Sequence, residues 1–213
     1  MYVWELKGPP DKLAQQARMH GLSSVIVKSS DGDRWLAQID QCGEVKKLGM
    51  ALGAWAYCYP SNILGQAELI KRALTIADYA VLDVEIEFEV SPNGARLATQ
   101  LVDALADYKD RIGFTSFSIP SLHPHFPWRE FSAGVSFSMP QCYWCEQGTT
   151  PQNSYTRGVT QYEKFGVPIV PVGECQGGAT PAEIAQFVSL CKNEAGVSFW
   201  EWYEATPEQV AAI

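Results

Sequence analysis

The sequence contains no long run of apolar residues and no recognisable export signal. None of its apolar runs approaches the roughly 20 residues that a membrane-spanning helix needs. The N-terminal segment 1–10 (MYVWELKGPP) lacks the basic and apolar regions of a secretory signal peptide. We therefore expect a soluble protein that is cytoplasmic when synthesised. Action outside a cell would require its release to the cell wall or transport on a phage particle.

Basic residues are also scarce. The 213 residues include 16 Lys and Arg against 24 Asp and Glu, a formal net charge of -8. Proteins that bind a phosphate backbone display clustered Lys and Arg, so the sequence argues against nucleic acid as a partner. The hydrophobic content of 46% is enough for one substantial core. We expect a monomer with a single domain that spans residues 1–213.

Cysteine and histidine offer little chemistry. The six cysteines follow no regular framework, so we expect reduced thiols. Cys142 and Cys145 have metal-ligand spacing, but no second such pair exists and no His lies at zinc-finger spacing. The Gly-x-Ser-x-Gly sequence of serine hydrolases is absent. The sequence thus predicts no metal and no cofactor.

Short β-branched or aromatic runs alternate with stretches of helical period, which is typical of parallel strands joined by helices. The predicted strands are 2–6, 24–28, 51–59, 80–87, 113–119, 135–143, 168–172 and 197–203, and the predicted helices include 11–20, 65–78, 95–110, 154–165 and 181–194. Asn93 and Thr180 are placed to cap two of these helices. An open doubly wound sheet would carry a Gly-rich phosphate loop after its first strand, where this chain has 6–10 (LKGPP). Eight strands therefore predict a compact α/β fold, a (β/α)8 TIM-type barrel.

The most informative segment is 81–89 (VLDVEIEFE), in which acids alternate with apolar residues. A period of two places Asp83, Glu85 and Glu87 on one face of a strand. Three carboxylates cannot all lie deep in a barrel without a large desolvation cost, so we expect them at its open mouth. Crowding lets one carboxyl stay protonated as a general acid while its neighbour stays charged, which is what glycoside hydrolysis requires. The alternative is a solvated edge strand with surface acids.

Several segments resemble one known family in order and spacing. Segment 82–85 (LDVE) resembles the Asp-x-Glu strand of the glycoside hydrolase family 25 lysozymes, the Chalaropsis-type muramidases. Segments 25–32 (VIVKSSDG) and 53–60 (GAWAYCYP) are similar to that family's second and third strands, and 199–203 (FWEWY) is similar to its closing strand. The resemblance covers roughly the first half of the chain and this last segment.

The resemblance implies a TIM barrel that cleaves a polymeric cell-wall glycan such as peptidoglycan, as a phage or prophage endolysin does. It implies that Glu85 is the general acid and Asp83 the charged carboxylate beside it. The family also has an Asp in its first strand and another late in the chain. At the corresponding places this sequence offers only Glu5, and then Gln141 and Glu174. A glycan-binding or phage structural module that has lost the chemistry is therefore a second hypothesis.

Further residues are predicted to support or bind the substrate around the mouth. Aromatic faces commonly stack on sugar rings, and Trp55, Tyr57, Tyr143 and Trp202 lie near predicted strand ends. Packing between barrel and helices is the alternative for each of them. The remaining members of the predicted set are Glu87, Lys28, His123 and Glu201, with Lys28 expected to form an ion pair with one of the acids. A metal-dependent hydrolase using His123 or His125 is a third hypothesis, for which no third ligand is evident.

Overall fold

The computed structural model describes residues 1–213, which form one sheet of nine strands. The strands are β1 (Tyr2–Val3), β2 (Ser24–Asp31), β3 (Arg34–Trp35), β4 (Ala51–Cys58), β5 (Tyr79–Val84), β6 (Ile112–Phe117), β7 (Phe137–Cys142), β8 (Val172–Glu174) and β9 (Ser198–Trp200). All are parallel neighbours in chain order except β3, a short antiparallel partner of β2. The Trp202 N–H donates to the Tyr2 carbonyl at 3.0 Å and brings the end of the sheet against its beginning. The predicted eight-stranded barrel is confirmed.

Helices cover the outside of this barrel. They are α1 (Pro10–Met19), α2 (Gly43–Lys47), α3 (Ile63–Leu74), α4 (Ile86–Val90), α5 (Gly94–Ala104), α6 (Trp128–Ala133), α7 (Pro151–Tyr162), α8 (Pro181–Leu190) and α9 (Pro207–Val210). Short 3-10 turns lie at Ala37–Gln41, Ala106–Arg111, Pro120–Leu122, Glu163–Phe165 and Cys191–Asn193. Thr180 caps α8 as predicted, in a reciprocal arrangement with Glu183. Asn93 occupies the N-cap position of α5 as predicted, but its side chain makes no cap hydrogen bond.

The two faces of the strands bury different sets of side chains. A central cluster fills the barrel interior and consists of Tyr2, Ile26, Trp55, Val81, Met139 and Val172. The residues between them in sequence face the helices, as Leu82 and Val84 do in the largest core cluster. This period of two is the one expected for strands covered on both faces. It therefore determines which side chains reach the barrel mouth.

The predicted strand 80–87 differs from the structure at its C-terminal end. β5 ends at Val84, and the chain then forms the single-turn helix α4. Phe88 of α4 is fully buried and its ring lies 5.1 Å from that of Phe131. Burial of Phe88 therefore supports a helical turn where the alternation of acids predicted more strand.

Two further properties bear on the sequence predictions. No helix is long and apolar enough to cross a bilayer. All six cysteines are free thiols, and only Cys145 is exposed.

Candidate active site at the barrel mouth

The inward-facing residue nearest the C-terminal end of each strand forms one layer at the mouth of the barrel. On β5 the interior residue Val81 is followed two residues later by Asp83, which pairs in register with Tyr57 of β4. Lys28 lies at the same end of β2, and Gln141 at that of β7. Parallel strands end at the same edge of the barrel, so residues far apart in sequence meet here.

The centre of the mouth is a pair of carboxyl groups joined by one amide. The Gln141 side-chain NH₂ donates to Asp83 Oδ1 at 3.3 Å and to Glu85 Oε1 at 3.0 Å. The two carboxyl groups also share a hydrogen bond. Asp83 is only 6% exposed, whereas Glu85 is half-buried. Glu85 is therefore the member of the pair that solvent or a substrate can reach.

The buried member of the pair favours its protonated form. Burial raises the pKa of Asp83 well above its ordinary value, and the Glu85 carboxylate raises it further, while the Lys28 ammonium acts in the opposite direction. The sequence analysis expected a charged Asp83, whereas burial under the rim favours the protonated form of this carboxyl, so its role stays a prediction.

Glu87 joins the same cluster although it lies on α4 rather than on a strand. The Tyr57 hydroxyl lies 3.0 Å from both carboxylate oxygens of Glu87. Burial raises the pKa of Tyr57, and the charges of Glu85 and Glu87 raise it further. Tyr57 is therefore a neutral hydrogen-bond donor that holds Glu87 at the mouth.

Lys28 is buried within an aromatic cage. Its ammonium lies 3.9 Å from the ring centre of Trp4 and 4.7 Å from that of Trp55, and the residue is 2% exposed. The ion pair it forms, at 2.9 Å, is with Asp31 and not with a member of the predicted acid cluster. Burial opposes ionisation of Asp31, but Lys28 and the Tyr59 hydroxyl together lower the pKa of Asp31.

Two hollows open at the mouth of the barrel, and neither is lined by Asp83 or Glu85 themselves. A hollow of about 380 Å³ is lined by Trp4, Glu5, Lys28, Asp31, Arg34, Trp35, Leu36, Ala37 and Gln38. A second, of about 180 Å³, is lined by Phe117, Ser118, Ile119, Leu122, His123, Gln141, Tyr143, Glu146 and Gln147. Trp4 is 49% exposed and forms a wall of the larger hollow. The sequence analysis missed Trp4, although the period of two from Tyr2 indicates that it faces inward.

Tyr143 and His123, two of the predicted substrate-binding residues, both line the smaller hollow. Burial raises the pKa of Tyr143, and the nearby Tyr2, Asp83 and Glu85 raise it further. His123 Nδ1 is 2.7 Å from Glu89 Oε2, a carboxylate that the sequence analysis did not select.

Two further predicted residues, Glu174 and Glu201, are buried carboxylates. Glu174 is buried, burial raises its pKa, and its carboxylate accepts from the Cys145 amide. Glu201 is buried as well and accepts from the backbone N–H groups of Trp4 and Glu204. Each of these two carboxylates therefore fixes neighbouring loop backbone by accepting hydrogen bonds from its N–H groups.

Glu5 and the predicted aromatic residues Trp55 and Trp202 lie in three different environments. Glu5 is exposed on the rim, and Trp55 is fully buried below the mouth. Trp202 packs in the clusters between sheet and helices, as the packing alternative for the aromatic residues supposed. No three His, Cys, Asp or Glu side chains are placed together as metal ligands.

Comparison with known proteins identifies the fold class. No protein-family model and no curated protein sequence matches the chain. The structure is similar to the GH18 chitinase ChiB from the chitin utilization locus of Flavobacterium johnsoniae, at 11% identity over 99% of this chain and 91% of that chain, with a TM-score of 0.66. It is also similar to a glycoside hydrolase family 5 structure from Bacteroides vulgatus ATCC 8482, at 9% identity over 92% of this chain and 55% of that chain, with a TM-score of 0.64.

These likenesses show that the chain has the (β/α)8 barrel fold that glycoside hydrolases use. A family 25 glycosyl hydrolase from Bacillus anthracis aligns at 12% identity over 65% of this chain and 68% of that chain, with a TM-score of 0.47. That alignment is too distant to establish membership, so the relation to family 25 stays a prediction.

Proposed function

We propose that this protein is a glycoside hydrolase that cleaves a polymeric glycan of the cell-wall type, with Glu85 as the proton donor. The observation that supports this most is the carboxyl pair of Asp83 and Glu85, joined through Gln141 at the open end of the barrel. Its inner member is buried, which raises its pKa, and its outer member is half-exposed to solvent. Active sites of barrel enzymes lie at this end of the strands.

The pair is suited to giving and recovering one proton. Glu85 donates its proton to the glycosidic oxygen as the bond from that oxygen to the sugar carbon breaks, and the departing chain leaves as an alcohol. The carboxylate left on Glu85 then accepts a proton from the water that adds to the sugar. Asp83, the buried carboxyl whose pKa is raised, supplies the donated proton to Glu85 through their hydrogen bond, so the pair carries one proton before the bond breaks and regains it from the water afterwards.

The attacking group must come from elsewhere. An inverting pair needs about 6.5 to 9.5 Å between its carboxyl groups to admit a water molecule, whereas Asp83 and Glu85 are in hydrogen-bond contact. Because both acids lie on the same side of the reacting bond, attack from the opposite face is left to water or to a neighbouring group of the sugar itself, as in substrate-assisted glycosidases. Glu87 stays fixed by Tyr57 beside them.

The surroundings of the pair suit a polymeric glycan. Half of the Trp4 surface is exposed beside the larger hollow, and its ring packs edge-on against Trp200 with centres 5.6 Å apart. An aromatic face of this kind can stack on a sugar ring. The similar barrels described as a chitinase and a family 5 glycoside hydrolase support the same class of substrate.

The test compares the wild type with Glu85→Gln and with Glu163→Gln, an exposed glutamate on a 3-10 turn far along the chain. Release of reducing ends from peptidoglycan, chitin and β-mannan is measured between about pH 4 and 8, where a carboxylate pair is expected to act. Loss of a general acid lowers turnover by about 10² to 10⁴, so Glu85→Gln should lose activity by that factor while Glu163→Gln keeps it. Circular dichroism confirms that both variants are folded.

Two results would contradict the proposal. Undiminished turnover by Glu85→Gln removes Glu85 from the role of proton donor. Binding of oligosaccharides without turnover by the wild type at any pH in this range supports the glycan-binding module instead.

A further inference from the structure

We propose that His123 determines specificity in the sugar subsite next to the carboxyl pair, where its Nε2 atom forms a hydrogen bond with a substrate hydroxyl. This inference rests on the proposed function, since it concerns the same mouth of the barrel. It assigns a role to the smaller hollow, whose lining includes both His123 and Gln141, the amide that joins Asp83 to Glu85.

The imidazole ring is fixed from two directions. Its Nδ1 atom lies 2.7 Å from Glu89 Oε2, and its face stacks on Phe117 with ring centres 3.6 Å apart and planes 4° apart. The Glu89 side chain is only 11% exposed. A charged carboxylate can only accept a hydrogen bond, so opposite an ionised Glu89 the hydrogen is on Nδ1.

The second ring nitrogen is left for a ligand. Nε2 makes no hydrogen bond within the chain, and His123 lines the hollow. With the hydrogen on Nδ1 directed at Glu89, Nε2 is left to form a hydrogen bond with a ligand hydroxyl, which can both donate and accept. The Tyr143 hydroxyl in the same hollow also has no partner in the chain and can donate or accept. Together they match the hydroxyl groups of a neutral sugar.

The backbone of His123 is equally constrained. Its carbonyl accepts from Trp128 Nε1 at 2.9 Å and from the Phe126 N–H at 3.2 Å, while its own N–H donates to the Pro120 carbonyl at 3.0 Å. A group held in place before binding loses little conformational entropy on contact with a ligand. His125, two residues away, is exposed and makes no side-chain hydrogen bond. His123 is therefore held in place by its surroundings, whereas His125 is an exposed loop residue.

Charge favours a neutral sugar unit over an acidic one in this subsite. Glu89 lies behind the ring and Glu146 lines the same hollow. These two carboxylates repel an anionic substituent at this point, whereas a hydroxyl finds a hydrogen-bond partner in Nε2. The unit beside the scissile bond on this side is therefore expected to be uncharged.

The experiment measures binding without turnover. Chitotetraose is titrated calorimetrically into Glu85→Gln protein, alone and combined with His123→Ala, His123→Asn or His125→Ala. One hydrogen bond is worth about 0.5 to 1.5 kcal/mol, so loss of Nε2 should raise Kd by about 3-fold to 10-fold. His123→Asn is informative because its amide can still donate to Glu89 yet places nothing at the Nε2 position. It should lose affinity as His123→Ala does, and His125→Ala should bind like Glu85→Gln alone.

The outcomes separate this inference from the proposed function. Binding that is equal in the His123 and His125 variants overturns the role of His123 and leaves the hydrolase proposal standing. Absence of chitotetraose binding together with absence of turnover of every glycan overturns both. Full affinity in His123→Asn with loss in His123→Ala shows that the contact with Glu89 is structural and that Nε2 is not used.

Discussion

Replacement of Asp83 by Asn should stabilise the protein at neutral pH, because the fold holds this carboxyl at a cost to stability. Asp83 is 6% exposed, and burial followed by the Glu85 charge raises its pKa above the ordinary 3.8. An acid with a raised native pKa binds more protons in the folded state than in the unfolded chain. The stability of the native state therefore falls as the pH rises from about 4 through the native pKa.

The geometry of the pair sets the magnitude. Asp83 Oδ1 and Glu85 Oε1 lie 3.3 and 3.0 Å from the same nitrogen of Gln141. The distance between these two oxygens therefore cannot exceed the sum of the two contacts. Two unit charges no more than about 6 Å apart repel by at least about 3 kcal/mol at an effective dielectric constant of about 20. Asp83→Asn should raise the free energy of unfolding at pH 7 by about 2 to 3 kcal/mol and Tm by about 4 to 12 °C.

The assay is urea unfolding followed by tryptophan fluorescence between pH 4 and 7. The difference between Asp83→Asn and wild type should be near zero at pH 4 and increase with pH. The control, Asp103→Asn, changes an exposed acid of α5 and should follow the wild type at every pH. A variant less stable than wild type, or a difference that does not change with pH, would refute the assignment of a raised pKa to Asp83.

Two more predictions follow from single contacts. Tyr57→Phe removes the hydroxyl that donates to both oxygens of Glu87. Glycan turnover should fall about 10-fold and the free energy of unfolding by about 1 kcal/mol, and unchanged turnover would show that the position of Glu87 is unimportant. Gly94→Ala adds a Cβ that would overlap the carbonyl oxygen of Phe88, where Gly43→Ala meets open space. Gly94→Ala should lower the free energy of unfolding, measured with urea, by about 1 to 3 kcal/mol. Equal stability of Gly94→Ala and Gly43→Ala would contradict the close contact of α4 with α5.

The barrel could be predicted from the sequence because its period is local information. Val81 and Asp83 point into the barrel while Leu82 and Val84 face the helices, as a period of two requires. The same rule failed beyond Val84, because a single helical turn also buries Phe88 and leaves Ile86 at the surface. A pattern of five residues cannot distinguish the two conformations.

The partners of the site residues could not be predicted in the same way. Lys28 was expected to pair with an acid of the 81–89 segment, but its ammonium is bonded to Asp31, three residues away. Glu89 meets His123 across 34 positions of sequence, because α4 and the loop after β6 converge at the mouth. Such contacts depend on the exact path of loops, for which one sequence carries no periodic signal.

The distribution of partners singles out Glu85 among the acids of the mouth. Four other carboxylates have a polar partner of their own: Asp31 has Lys28, Glu87 has Tyr57, Glu89 has His123 and Glu174 has the Cys145 amide. Glu85 shares a single amide with Asp83, a neighbour that favours its own proton. In the proposed mechanism the proton donor must carry its proton to the substrate, and a carboxyl with few hydrogen-bond donors around it and an open side suits that role. The fold leaves Glu85 in that condition because Gln141, rather than a cation, stands between the two acids.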